Sequence, residues 1–384
     1  VEEHGESFWR EHAGQRLTPY SSACKIRRLQ RTEPALMASR PHIAYVPDFL
    51  ARRLTGRWIN DVPSASWSPF VLPTTRALAR PVMGVLGVSD EQLSPTLDSG
   101  QPIGELRPDV CCDLGLAEGV LLVAGAFDQT AAAHGAGATA CGTSVLSCGT
   151  AWVLYAVTDS PPSAHGPVPS VKRPDPPPFD LCVCCHVSPN EWGLVLPYTG
   201  GSAYDWVTRT TAPASAPSDA SPLVFVPHLY GGLSPDWQEQ SKGSLLGLTL
   251  SHTAEDIRLA LMRGMAFETR RNIEAAGAQM SRPSALRMVG GATHSDIWPQ
   301  MIADAVGLPV EVTALTEAAC YGAARIAAGP AADEWQAESD GAIRAFVPSA
   351  AGMETMDRLY RDYLAAYAWL TRYYRGEHAP PTED

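Results

Sequence analysis

The apolar positions change their spacing along the 384 residues, and each change marks an element. "YSSACKIRRLQRTEPALMAS", within residues 20–40, reads as a helix that stops near Glu33-Pro34, since the residue before proline avoids the helical region. From His42 a short apolar strand leads into a helix ending at Gly56, followed by polar turn residues. Residues 88–107 predict a helix, a loop and an edge strand. "GVLLVAGAF", 119–127, is an apolar run of buried-strand length, and 129–137 is a small-residue, helix-compatible stretch suited to close packing of two elements. "TSVLSCGTAWVLYAV" predicts two strands hinged at Cys148-Gly149-Thr150.

The last third is regular. Ile257, Leu261 and Met265 recur at helical spacing, with Thr253 as N-cap and Asp256 three positions on. "ALRMVGGATHSDIWPQMIADAVGLPVEV" reads as strand, Gly-Gly turn, helix, a stop at Gly307 and a further strand. "TEAACYGAARIAAG" is a small-residue helix in which Ala and Gly dominate. Ile297, Trp298 and Met301 fall at core positions. Strands alternating with helices indicate an α/β architecture. Two Pro/Ala/Ser-rich pieces, 160–180 and 210–222, read as surface loops.

Composition narrows the function. A net charge of −12 with no long basic run argues against a nucleic-acid surface; Lys25 to Arg28 reads as the solvated side of a helix. The polar opening "VEEHGESFWREHAG" is no signal peptide. The uncharged stretch near Asp128 is too rich in Gly, Thr, Ser and His to span a bilayer. Nine cysteines, an odd number and without paired CxxC…CxxC spacing, point to a reducing, cytoplasmic setting rather than a disulfide framework. "CVCCH", Cys182–His186, suggests a metal site, but strand alternation sends its residues to opposite faces and no second ligand pair accompanies it.

Chemistry concentrates around one charge. Between Gly119 and Thr158 the single charged residue is Asp128, a carboxylate costly to bury without partners. It could act as a base or cap the helix that follows. Three strand-then-small-turn stretches, "AGAFDQ", "LSCGTAW" and "MVGGATHS", offer backbone amides to an anion, the last at a helix N-terminus. Together they point to a phosphate-handling cleft, although no Walker A loop, GxGxxG fingerprint or GxSxG elbow is present.

These segments, in this order, resemble the FGGY family of carbohydrate kinases. "LTPYSSACKIRRLQRTEP" is similar to the family's Y-x-S-x-x-K helix, and "VAGAFDQTAAAHGAG" to its G-x-x-D-[NQ] stretch. "SCGTAWVL" resembles its second phosphate turn, "GSLLGLTLSHTAEDIRLALMRGMAF" its second signature, and "VGGATHSDIWPQMIADAVGLPV…EAACYGAA" its adenosine segment. The resemblance implies a two-domain hexokinase/actin-like (ribonuclease H-like) α/β fold, with a partial sugar-binding domain over 1–137 and a nucleotide-binding domain over 138–384. It implies ATP-dependent phosphorylation of a sugar or polyol with Mg²⁺. Asp128 would be the general base, and Tyr20 and Gln129 would contact substrate. Gly149 and Thr150 would face the β- and γ-phosphates, and Gly290, Gly291 and Ala292 would line the adenosine and α-phosphate, with no dedicated protein metal ligands. A homodimer is common in the family.

The family's opening D-x-G-[TS] turn is not in the chain, so the resemblance implies a first domain short of roughly a hundred residues. Arg28 stands where the first signature has Trp, Arg263 replaces an acidic residue in the second, and "GGLSPDW" lacks a usual Glu-Arg. These departures leave open a second reading, a degenerate relative that binds sugar or nucleotide without transferring phosphate.

Overall fold

A hairpin organises the second half of the molecule. Strands β1 (Ser144–Cys148) and β2 (Ala151–Thr158) fold back on each other at Gly149-Thr150. They are joined by β3 (Cys182–Cys185), β4 (Trp192–Thr199), β5 (Leu286–Gly290), β6 (Val310–Val312) and β7 (Arg344–Phe346) in a seven-stranded sheet ordered β3-β4-β2-β1-β5-β6-β7. β1, β5 and β6 are mutually parallel, so their C-terminal ends lie along one edge. This computed structural model describes residues 4–14, 16–161, 165–167, 178–211, 216–218, 222–277, 279–280, 282–313, 315–335 and 344–377. The two Pro-rich pieces expected as surface loops lie largely outside the described residues.

Strand alternation sorts β2 between two cores. Trp152, Leu154 and Ala156 enter a large cluster with Leu261, Met265, Trp298, Ile302 and Tyr363. Val153, Tyr155 and Val157 enter a second cluster with Ala133 and Ala136 on the opposite face. The helices that bury these faces are α1 (Asp128–Gly135), α2 (Gly201–Thr210), α3 (Ala254–Ala276), α4 (Ile297–Val306), α5 (Ala318–Ala328) and α6 (Ala350–Tyr374). α3 begins with the expected reciprocal cap, Thr253 Oγ1 accepting from the Asp256 amide while the Asp256 carboxylate accepts from the Thr253 amide at 2.7 Å. Gly307 ends α4 at φ 64°, in the left-handed region, as expected.

α1 and α5 pack with almost no side chain between them. A Cβ on Gly322 would lie 1.8 Å from the Ala131 carbonyl oxygen, and one on Gly135 would lie 2.3 Å from that of Ala318. The small-residue stretches foretold this contact.

Among the described residues the first half holds only two-stranded pairs and two smaller cores, around Phe70 and Leu86 and around Ile59 and Ile103. The helix breaks at Glu33 into Ser22–Thr32 and Pro34–Ala38, and Val46–Thr55 ends at left-handed Gly56, both as read. Three expectations need correction. Residues 88–107 contain no α-helix, only a 3₁₀ turn at Asp90–Gln92 and the strands Thr96–Leu97 and Pro102–Glu105, because Pro95 follows within one turn. The run 119–127 is not a buried strand: among the described residues Leu121–Val123 pairs only with Pro102–Glu105, and Leu121 is 54% exposed while Leu122 packs on the small core around Ile59 and Ile103. Ile297 is exposed at the first position of α4, while Trp298 and Met301 do pack in the core. Among the described residues no helix is long and apolar enough to cross a membrane.

Candidate active site

Two glycine turns meet at the end of the parallel strands. Gly290 ends β5 directly beside Cys148 at the end of β1. At φ 96° it occupies backbone space that favours glycine, and a Cβ there would come within 2.7 Å of the Cys148 carbonyl oxygen. Above the turns the space is open: a Cβ on Gly149 meets nothing nearer than 3.6 Å, and one on Gly291 nothing nearer than 3.8 Å. This is a cradle that a side chain would fill and a phosphate could enter.

Each turn is buttressed. The Gly201 and Ser202 amides at the start of α2 donate to the Gly149 and Thr150 carbonyls at 3.0 and 3.1 Å. Thr293 Oγ1 donates to the Gly290 carbonyl at 2.7 Å, and Arg344, paired with Asp296, donates to the Thr293 carbonyl. Ala292 is buried in the large core, and its carbonyl accepts from the Ser295 amide at 3.3 Å.

One cavity opens at the Gly290-Gly291 turn and another along α2. One of about 480 Å³ is lined by Gly290, Gly291, Thr293, His294, Thr313 and Arg344. The other, about 690 Å³, is lined by Ser202, Asp205, Trp206, Arg209, Leu229 and Tyr230. Sequence reading found the first and missed the second; the Gly200-Gly201 pair opening α2 was its one signal.

Asp128 is the first residue of α1 and is exposed. One of its oxygens accepts from the Gln129 amide at 2.7 Å, which orients the carboxylate at the helix start, where the dipole favours negative charge. Phe127, just before it, packs on Trp67 with ring centroids 4.7 Å apart. Tyr20 is 86% exposed, in the turn ahead of Ser22–Thr32. The structure therefore brings Gly149, Thr150, Gly290 and Gly291 together and puts Asp128 with Gln129. Among the described residues no hydrogen bond joins these two groups or links Tyr20 to either.

Arg263 lies half-buried on α3, where burial lowers its pKa from the ordinary value. The "CVCCH" stretch is β3 and its exit, with Cys184 and His186 wholly buried; among the described residues no cluster of three metal-ligating side chains forms. His186 instead pairs with the Tyr155 hydroxyl at 2.9 Å and faces His134 of α1, ring centroids 6.2 Å apart. Burial, then Arg325, lower His134 to about 4; burial, then His134, lower His186 to about 3. Both values lie below the ordinary 6.5, so unfolding takes up protons. The stability these neutral rings contribute is complete above about pH 6.5 and is lost as pH falls through 4 and 3. Urea midpoints should drop steeply below pH 6, and His186→Gln should flatten that drop relative to the wild type.

Comparison with known proteins places these features. The model of the FGGY family of carbohydrate kinases, N-terminal domain, matches residues 1–135, and that of the C-terminal domain matches 141–329. Xylulose kinase of Escherichia coli (strain K12) is 26% identical over 326 residues, covering 82% of this chain and 65% of that protein. Glycerol kinase of Methylibium petroleiphilum is 28% identical over 387 residues, covering 92% of this chain and 73% of that protein. The crystal structure of xylulose kinase from Rhodospirillum rubrum superposes with a TM-score of 0.83 over 97% of this chain and 77% of that one; at 24% identity this is a likeness of fold. The fold is accordingly the two-domain actin-like ATPase fold. The N-terminal match takes in Asp128 and α1, the C-terminal match takes in both glycine turns, and the chain belongs to the FGGY family of carbohydrate kinases.

Proposed function

We propose that this chain carries the machinery for ATP-dependent phosphorylation of a sugar or polyol hydroxyl. The observation that carries the reading is the meeting of the Gly149-Thr150 and Gly290-Gly291 turns under open space at one sheet edge. Phosphoryl transfer demands positioning and charge stabilisation more than covalent chemistry. The first turn would hold the β- and γ-phosphates, while Gly290, Gly291 and the Ala292 backbone would line the α-phosphate and adenosine. Asp128 would accept the proton of the substrate hydroxyl as its oxygen attacks the γ-phosphorus and ADP departs. Gln129 and Tyr20 would contact the sugar, held by domain 1–137, with the nucleotide on domain 138–384. Magnesium would be held by the phosphate oxygens and water and would neutralise phosphate charge. The nine free thiols fit a reducing, cytoplasmic setting.

The test is an ADP-release assay with magnesium and ATP against ketopentoses, polyols and hexonates. Turnover above the sugar-free rate with at least one of them is expected. ATP hydrolysis indifferent to every sugar would overturn the reading.

A further inference from the structure

The half that carries Asp128 is tied to the seven-stranded sheet at a second place, far from the glycine turns. Val71–Leu72 and Ala77–Leu78 form a short antiparallel hairpin whose turn runs from Pro73 to Arg76. This turn is seated on the connection between β3 and β4. The Pro73 carbonyl accepts from Trp192 Nε1 at 2.8 Å and from Cys185 Sγ at 3.5 Å. Arg76 donates to three carbonyls of that connection, Ser188 at 2.7 Å, Glu191 at 3.3 Å and His186 at 3.4 Å. Its other terminal nitrogen pairs with Asp98 at 2.9 Å. Arg76 holds φ 56°, unusual for a residue with a side chain, and that side chain is 17% exposed. A few residues upstream, wholly buried Ser66 accepts from the Cys185 amide at 2.9 Å.

The same segment reaches the proposed base. Trp67 follows Ser66 and packs on Phe127, the N-cap of the helix that Asp128 opens. Phe70, 1% exposed, anchors the piece between in the first-half core. One continuous segment thus touches the start of α1 at one end and the β3–β4 connection at the other. That connection lies at the opposite end of the sheet from the phosphate turns, since Trp192 pairs with Thr158 whereas Thr199 pairs with Ala151. A clamp there leaves the cradle itself untouched.

We propose that segment 66–76 is the strut that sets Asp128 against the phosphate cradle, with Arg76 a positioning residue for phosphoryl transfer. The proposal rests on the kinase reading above. Arg76 touches no reacting atom; it acts by fixing Pro73 and Trp67, and through them Phe127 and Asp128.

Arg76→Ala, Arg76→Lys and the wild type should be compared by amide hydrogen exchange and by steady-state kinetics. In Arg76→Ala, exchange should rise about tenfold at Cys185 and at the start of α1, as local opening becomes easier. Its kcat should fall about tenfold while KM for ATP stays within about twofold, the mark of lost transition-state positioning rather than lost binding. Arg76→Lys, which keeps the charge on a single point and cannot span Asp98 and the three carbonyls together, should recover only part of both effects. Unchanged exchange at Cys185 and the α1 start would overturn the strut. Raised exchange with unchanged kcat would overturn the positioning role. A wild type without sugar-dependent turnover would overturn the kinase reading and the positioning role with it, while exchange would still judge the strut.

Discussion

Asp128→Asn should lower kcat by about 10²–10⁴-fold, the range that a positioned general base contributes, while KM for ATP stays near the wild-type value. The asparagine keeps the size and the oxygen that accepts from the Gln129 amide, so the start of α1 is preserved. The side chain is exposed and makes no ion pair among the described residues, so the melting temperature should be almost unmoved. That separation matters, because a loss of rate together with a loss of stability would point to a merely structural carboxylate. ADP release at saturating ATP and sugar, with a melting curve on the same preparation, decides it. Wild-type kcat in Asp128→Asn would remove Asp128 as the base.

Much of this site was legible because local chemistry leaves marks in sequence. Gly149-Thr150 and Gly290-Gly291 could be placed on turns since glycine follows apolar strand residues in each. Their side-by-side meeting could not, because it depends on the parallel pairing of β5 with β1, more than 130 residues apart in the chain. Cap and stop residues such as Thr253, Gly56 and Gly307 act on their own neighbours and were read correctly. The run from Gly119 failed for the complementary reason. Its apolar residues are compatible with burial, but burial needs a partner layer, and at Leu121–Val123 the small core takes Leu122 and leaves Leu121 to solvent. Arg76 carried no signal at all: an arginine in a polar turn is commonplace, and only the tertiary fold delivers three carbonyls to it.

Gly322→Ala should lower stability and activity together. Two opposing terms act on a helical glycine replaced by alanine. Propensity favours the change by about 1 kcal/mol, since α5 gains a better helix former. Packing opposes it, because the new Cβ would stand 1.8 Å from the Ala131 carbonyl oxygen and 2.9 Å from the Gly135 nitrogen. Those atoms are the backbone of α1, so no side-chain rotation relieves the overlap and one helix must move. Overpacking of this kind costs about 3 kcal/mol, which outweighs propensity and lowers the melting temperature by several degrees. α1 also begins at Asp128, so the displacement shifts the proposed base and kcat should fall with stability. Gly84→Ala is the control: that helical glycine has nothing within 4 Å of a new Cβ, so propensity acts alone and the protein should gain about 0.5–1 kcal/mol. Urea denaturation of the two variants beside the wild type reads both signs. A Gly322→Ala protein as stable as Gly84→Ala would mean that α1 and α5 do not meet backbone to backbone, and the close contact that carries Asp128 into place would have to be abandoned.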